Sequence, residues 1–156
     1  MNRKTKRIFV VLVTVILALT VATSVATATT FRTVLTGSQE NPPVETDARG
    51  RFEITFKPDG TAARFTLDVV RIENVVAAHI HCGPVGVNGP VGVTLFTGGP
   101  VSPTGTLASG TLTSPDEGNA CGWEDMTDVL AAIQAGNAYV NVHTQANPGG
   151  EIRGQL

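Results

Sequence analysis

Two alternating runs around one turn constrain the fold of this chain more than any other feature. In Arg51-Phe52-Glu53-Ile54-Thr55-Phe56 the apolar residues are Phe52, Ile54 and Phe56, and the polar ones are Arg51, Glu53 and Thr55. Ala63-Arg64-Phe65-Thr66-Leu67-Asp68-Val69 repeats the pattern. Successive residues of a strand face opposite sides, so a period of two predicts half-buried strands and disfavours a helix. Lys57-Pro58-Asp59-Gly60 separates the runs: proline presets φ, and glycine takes a left-handed turn position without strain. Residues 50–70 are therefore expected to form a β-hairpin.

The rest of the chain reads similarly. Strands are expected over Phe31–Thr36, over Gly92–Phe96 and, weakened by a glycine, over Thr106–Thr113, with Gly98-Gly99-Pro100 as a turn. Strand signals roughly every 8–12 residues with turns between them point to an antiparallel β-sandwich of the immunoglobulin-like type. Charged residues make up only 15% of the chain, which fits an all-β class built on Val, Thr, Gly and Pro. The exception lies near 125–135, where Asp125 can cap a helix, Met126, Leu130 and Ile133 recur at helical spacing, and Gly136 stops it.

Residues 1–28 have the layout of a signal peptide. Arg3, Lys4, Lys6 and Arg7 precede an apolar stretch from Ile8 to Val21, and Ala26-Thr27-Ala28 offers small residues for cleavage. If uncleaved, the segment approaches the length of a membrane anchor, and it is the only part expected to touch a membrane. Either way, residues 29–156 are expected to form one domain outside the cytoplasm, secreted or at the cell surface or periplasm. All 13 acidic residues lie in that domain, whereas four of the 11 basic ones do not. Its acidic balance makes nucleic acid a poor partner.

All three histidines fall in two stretches, His79-Ile80-His81-Cys82-Gly83-Pro84 and Tyr139-Val140-Asn141-Val142-His143. On a strand, His79 and His81 share a face about 6.5–7 Å apart, while Ile80 turns inward. Tyr139, Asn141 and His143 share the corresponding face of the second stretch. If the strands are neighbours, three imidazoles converge, a set suited to copper, zinc or nickel with a position left open. The alternative is that the histidines and Asn141 simply brace neighbouring loops by hydrogen bonds. The glycine-rich loop Val85–Pro90 can cover the mouth of such a site.

Cys82 and Cys121 form an even pair in an exported chain, where disulfide formation is the default. The competing role for Cys82 is a thiolate metal ligand, although alternation points it away from the face of His79 and His81. Trp123 is expected to pack on the disulfide. In the last strand Ile152 is expected inward and Glu151 and Arg153 outward, as partners. Gln39-Glu40-Asn41-Pro42-Pro43 reads as a rigid surface loop, because its prolines cannot donate to a ladder. Glu40, Glu45 and Asp47, and likewise Asp116 and Glu117, read as solvated carboxylates, since their spacing matches no calcium loop. No nucleophile elbow or phosphate loop is present.

Four motifs together resemble the CHRD (chordin) domain. They are Leu35–Val44, Ala78–Pro84 with its continuation to Val91, Ala135–Thr144, and Asn147–Leu156, in that order over nearly all of residues 31–156. The resemblance implies an exported binding module, as in the single-domain microbial members, with an unidentified protein or cell-surface partner. A weaker resemblance, to the sandwich of copper/zinc superoxide dismutase, rests on the His-x-His strand and the later Val-x-His strand. It implies copper ligands at His79, His81 and His143, with Arg153 downstream of the last histidine as an anion-guiding arginine is in that family. Tyr139, Asn141, Glu151 and Arg153 are the candidates for the mouth of the site. No fourth histidine or zinc cluster completes that pattern. The expected role is thus non-enzymatic binding that uses copper or zinc, with a copper-dependent redox protein and a purely structural module as alternatives.

Overall fold

In the computed structural model, residues 27–156 are described; the expected signal segment, residues 1–28, falls almost entirely outside them. Eight strands make one antiparallel sheet: β1 (Thr29–Thr36), β2 (Arg49–Phe56), β3 (Ala63–Val70), β4 (Val75–Cys82), β5 (Val91–Val101), β6 (Gly105–Leu112), β7 (Ala138–Thr144) and β8 (Ile152–Gln155). Their spatial order is β5-β4-β7-β8-β1-β2-β3-β6. The sheet curls like a sandwich, so that Phe52, Ile54, Phe65 and Leu67 of β2 and β3 join Ala78, Ile80, Val140 and Val142 of β4 and β7 in one core. The expected all-β class is what the chain adopts.

The hairpin forms as the alternation requires, with Phe52 opposite Leu67 and Phe56 opposite Ala63. Gly60 takes φ +73°, the left-handed position that its turn needs. The helix α1 (Met126–Gln134) begins in a capping box: the Asp125 carboxylate accepts from the Thr127 and Asp128 amides, and Asp128 reaches back. Met126, Val129 and Ile133 are buried and Leu130, half-buried, packs against the same cluster, so Val129 joins the expected inward stripe.

The expected turn at Gly98-Gly99-Pro100 is instead continuous strand within β5. β5 lies at the sheet edge and pairs only with β4, through several register shifts. An edge tolerates proline, whose missing donor costs no ladder bond there. The outward placement of Glu151 and Arg153 is also corrected. They are 9% and 1% exposed, because loops cover this part of the sheet.

Cys82 and Cys121 are bonded, with Cα atoms 5.8 Å apart across a sequence separation of 39. In the chain-entropy account, closing a loop of that length contributes roughly 4 kcal/mol. The bond fastens the 114–124 loop to the end of β4. Trp123 packs over Gly92, where an added Cβ would collide with its ring.

Candidate metal centre

Strands β4 and β7 are neighbours. His79 pairs with Asn141, His81 with Tyr139 and Ala77 with His143. The register places the three imidazoles on one face, with ring centroids 4.9 Å apart for His79–His143, 5.6 Å for His79–His81 and 5.7 Å for His81–His143. One nitrogen from each lies within 4.8 Å of the others.

Three buried ring nitrogens have no hydrogen-bond partner: His79 Nδ1, His81 Nε2 and His143 Nε2. The opposite nitrogens of two rings are engaged. His81 Nδ1 lies 3.0 Å from the Gly89 carbonyl, and His143 Nδ1 lies 3.0 Å from that of Pro148. A carbonyl can only accept, so each Nδ1 carries the proton and each Nε2 presents a lone pair. Outer hydrogen bonds of this kind fix the tautomer and ring orientation of metal-binding histidines.

The imidazoles are also held neutral. Burial, opposed by the Gly89 hydrogen bond, brings His81 down to about 4. Burial likewise lowers His79 and His143. Neutral imidazoles are the form that binds metal.

Tyr139 stacks on His81 with ring centroids 4.8 Å apart and planes 7° from parallel. Its hydroxyl accepts from the Gly89 amide at 3.0 Å. The Arg153 guanidinium lies 3.4 Å from the centre of the Tyr139 ring, and it comes from β8, on the opposite side of β7 from β4. Arg153 donates to Asn88 Oδ1, the Pro84 carbonyl and Gln155 Oε1, not to Glu151. The expected Arg153–Glu151 partnership is therefore replaced. Glu151 accepts from Thr46, Thr144 and Asn147, tying down the loop whose Pro148 carbonyl orients His143.

Two carboxylates read as solvated are part of these surroundings. Glu40 is 7% exposed, and its carboxyl is pushed up to about 7 by burial, against the opposing effects of Arg153 and Asn141. It accepts from Asn141 Nδ2 at 3.4 Å, while Glu40 Oε1 and Asn141 Oδ1 remain buried without partners. Asp116 accepts from both the amide and the hydroxyl of Thr94, the β5 residue opposite His79. Its charge favours the protonated form of His79. The only sequence signal for Glu40 was its place within the Leu35–Val44 motif. Glu45, Asp47 and Glu117 are exposed, as expected.

The family profile of the CHRD domain matches residues 31–156. The chain belongs to the CHRD domain family. Curated proteins and solved structures gave no match. The CHRD match spans every element from Phe31 of β1 onward, so both histidine strands and the loops over them lie within it.

Proposed function

We propose that this CHRD domain is an exported, non-enzymatic interaction module that holds one copper or zinc ion on His79, His81 and His143. The observation that carries the reading is that each of the three imidazoles keeps a buried, unpartnered nitrogen and that one ring nitrogen from each lies within 4.8 Å of the others. Buried polar atoms are normally satisfied, and orphans gathered at one point have a common explanation in a shared ligand. Bonds of about 2.0–2.1 Å would bring tetrahedral donors to about 3.3 Å apart, so binding would draw the rings inward by small rotations. A bound ion would act as a Lewis acid with a position free for an outside ligand.

Export is supported by the basic and apolar layout of residues 1–28 and by the disulfide. No helix among the described residues is long and apolar enough to cross a membrane. The partner is a protein or cell-surface component.

The test is metal content and affinity of the tag-free mature domain under copper and zinc, beside a His79→Ala/His81→Ala variant. One equivalent in the wild type, lost in the variant, is expected. No stoichiometric metal in either protein would leave the histidines as loop-bracing polar residues and end the metal reading.

A further inference from the structure

The surroundings of the three histidines are electrically lopsided. On the β8 side, Arg153 is 1% exposed, and its three hydrogen-bond acceptors, Asn88, Pro84 and Gln155, are all neutral. Among the described residues the ion pair within bonding distance is Arg32–Glu53, at the surface. Glu40 lies near Arg153 but, with a carboxyl pushed up to about 7, offsets it only in part at neutral pH. A buried guanidinium without a bonded carboxylate is costly, and hydrogen bonds alone do not repay it. It also lies against the face of Tyr139, which stacks on His81. On the β5 side the charge is reversed, because Asp116 is held by Thr94 next to His79.

We propose that Arg153, acting through the Tyr139 stack, biases the three-histidine centre toward Cu(I) over Cu(II), with Asp116 opposing it. The inference rests on the metal reading above and specifies which ion the site prefers. Its donors are neutral, and no carboxylate or thiolate joins the cluster among the described residues, both cysteines being bonded to each other. Desolvation grows with the square of ionic charge, so a site in which His81 and His143 are 7% and 8% exposed penalises a dication more than a monocation. Repulsion from Arg153 doubles for the dication as well. Cu(II) seeks a tetragonal set of ligands, which three converging nitrogens do not complete. Arg153 is thus a positioning residue: it touches Tyr139, fixes the ring against which His81 lies, and adds a charge that the metal feels.

The test compares Cu(I) affinity, measured anaerobically against a chromophoric chelator, with Cu(II) affinity measured by competition. Equivalently, it measures the one-electron potential of the copper-loaded domain, a couple that moves no proton at the metal. The wild type should bind Cu(I) more tightly than Cu(II). Arg153→Met should lower the Cu(I):Cu(II) affinity ratio about tenfold, a fall of about 59 mV, while Arg153→Lys should lower it less. Asp116→Asn should raise the ratio, and it removes a half-buried loop carboxylate, so it reports even if the Arg153 variants fail to fold. An unchanged ratio in a folded, copper-loaded Arg153→Met overturns the proposal. So does a ratio that fails to rise in Asp116→Asn, or a wild type that prefers Cu(II). Absence of copper in either valence from the wild type is a different result, which removes the three-histidine reading itself.

Discussion

Strands β4 and β7 each carry two interiors. On one face Ala78, Ile80, Val140 and Val142 are 0% exposed and pack into the hydrophobic cluster with residues of β2 and β3. On the other face His81, Asn141 and His143 are 7%, 3% and 8% exposed, yet each keeps a polar atom without a partner. The apolar side gains from burial at every atom. The polar side loses hydration that the protein alone does not replace. An interior that is equally dry but unsatisfied is poorly explained by stability, and well explained by something it was built to hold.

Changes on the two faces should therefore behave differently. Ile80→Ala should destabilise by about 2–5 kcal/mol, through lost burial and the cavity left behind, as measured by urea unfolding. The metal-free His143→Ala variant should lose far less, because it also removes an orphaned nitrogen. An equal loss in both would erase the distinction between the faces. Adding copper or zinc to 100 times its dissociation constant should stabilise the wild type by about 2.7 kcal/mol, seen as a raised melting temperature. His143→Ala should show no such rise. Stabilisation retained in that variant would place the metal elsewhere.

Much of this was legible in the sequence, for a definite reason. A period of two states which residues share a face, and it correctly put His79, His81, Tyr139, Asn141 and His143 on one side and the valines and Ile80 on the other. It does not state what lies above that face. Glu151 and Arg153 were placed outward because polar residues on a strand usually meet solvent. Here loops far away in sequence cover them: Asn41 bonds the Gly86 carbonyl, Asn88 bonds that of Asn41, and Thr46 bonds Glu151. The same cause applies to Glu40, because nothing local in the sequence marks the loop that packs against the one carrying it. The Gly98–Pro100 error was local, because turn chemistry and edge-strand chemistry use the same residues.

The polar face should also show in the pH dependence of stability. His81 titrates near 6.5 when unfolded and at about 4 when folded. Between these values the unfolded chain binds the extra proton, so this contribution is full above 6.5 and lost as pH falls toward 4. His79 and His143 shift in the same direction. Metal-free wild type should lose stability in denaturant unfolding from pH 7 to pH 4, by about 1–2 kcal/mol more than His81→Ala does. Equal losses would mean that His81 is not held neutral by burial.

Glu40 works in the opposite sense, with an effect no larger than that of His81. Its carboxyl moves from 4.5 to about 7 on folding, so between these values the folded chain holds the extra proton. Its contribution is therefore full below 4.5 and lost as pH rises through 7. Glu40→Gln keeps the shape of the protonated side chain and cannot ionise. It should match the wild type at pH 4 and exceed it at pH 8 by about 1–2 kcal/mol, the cost of ionisation that is left after Arg153 and Asn141 have relieved part of it. Equilibrium unfolding at the two pH values makes the comparison. If the variant is instead weaker than the wild type at pH 8, attraction between the Glu40 carboxylate and Arg153 outweighs desolvation. Arg153 would then be charge-compensated from the loop side, and the polar interior would be closer to balanced than its orphaned atoms suggest.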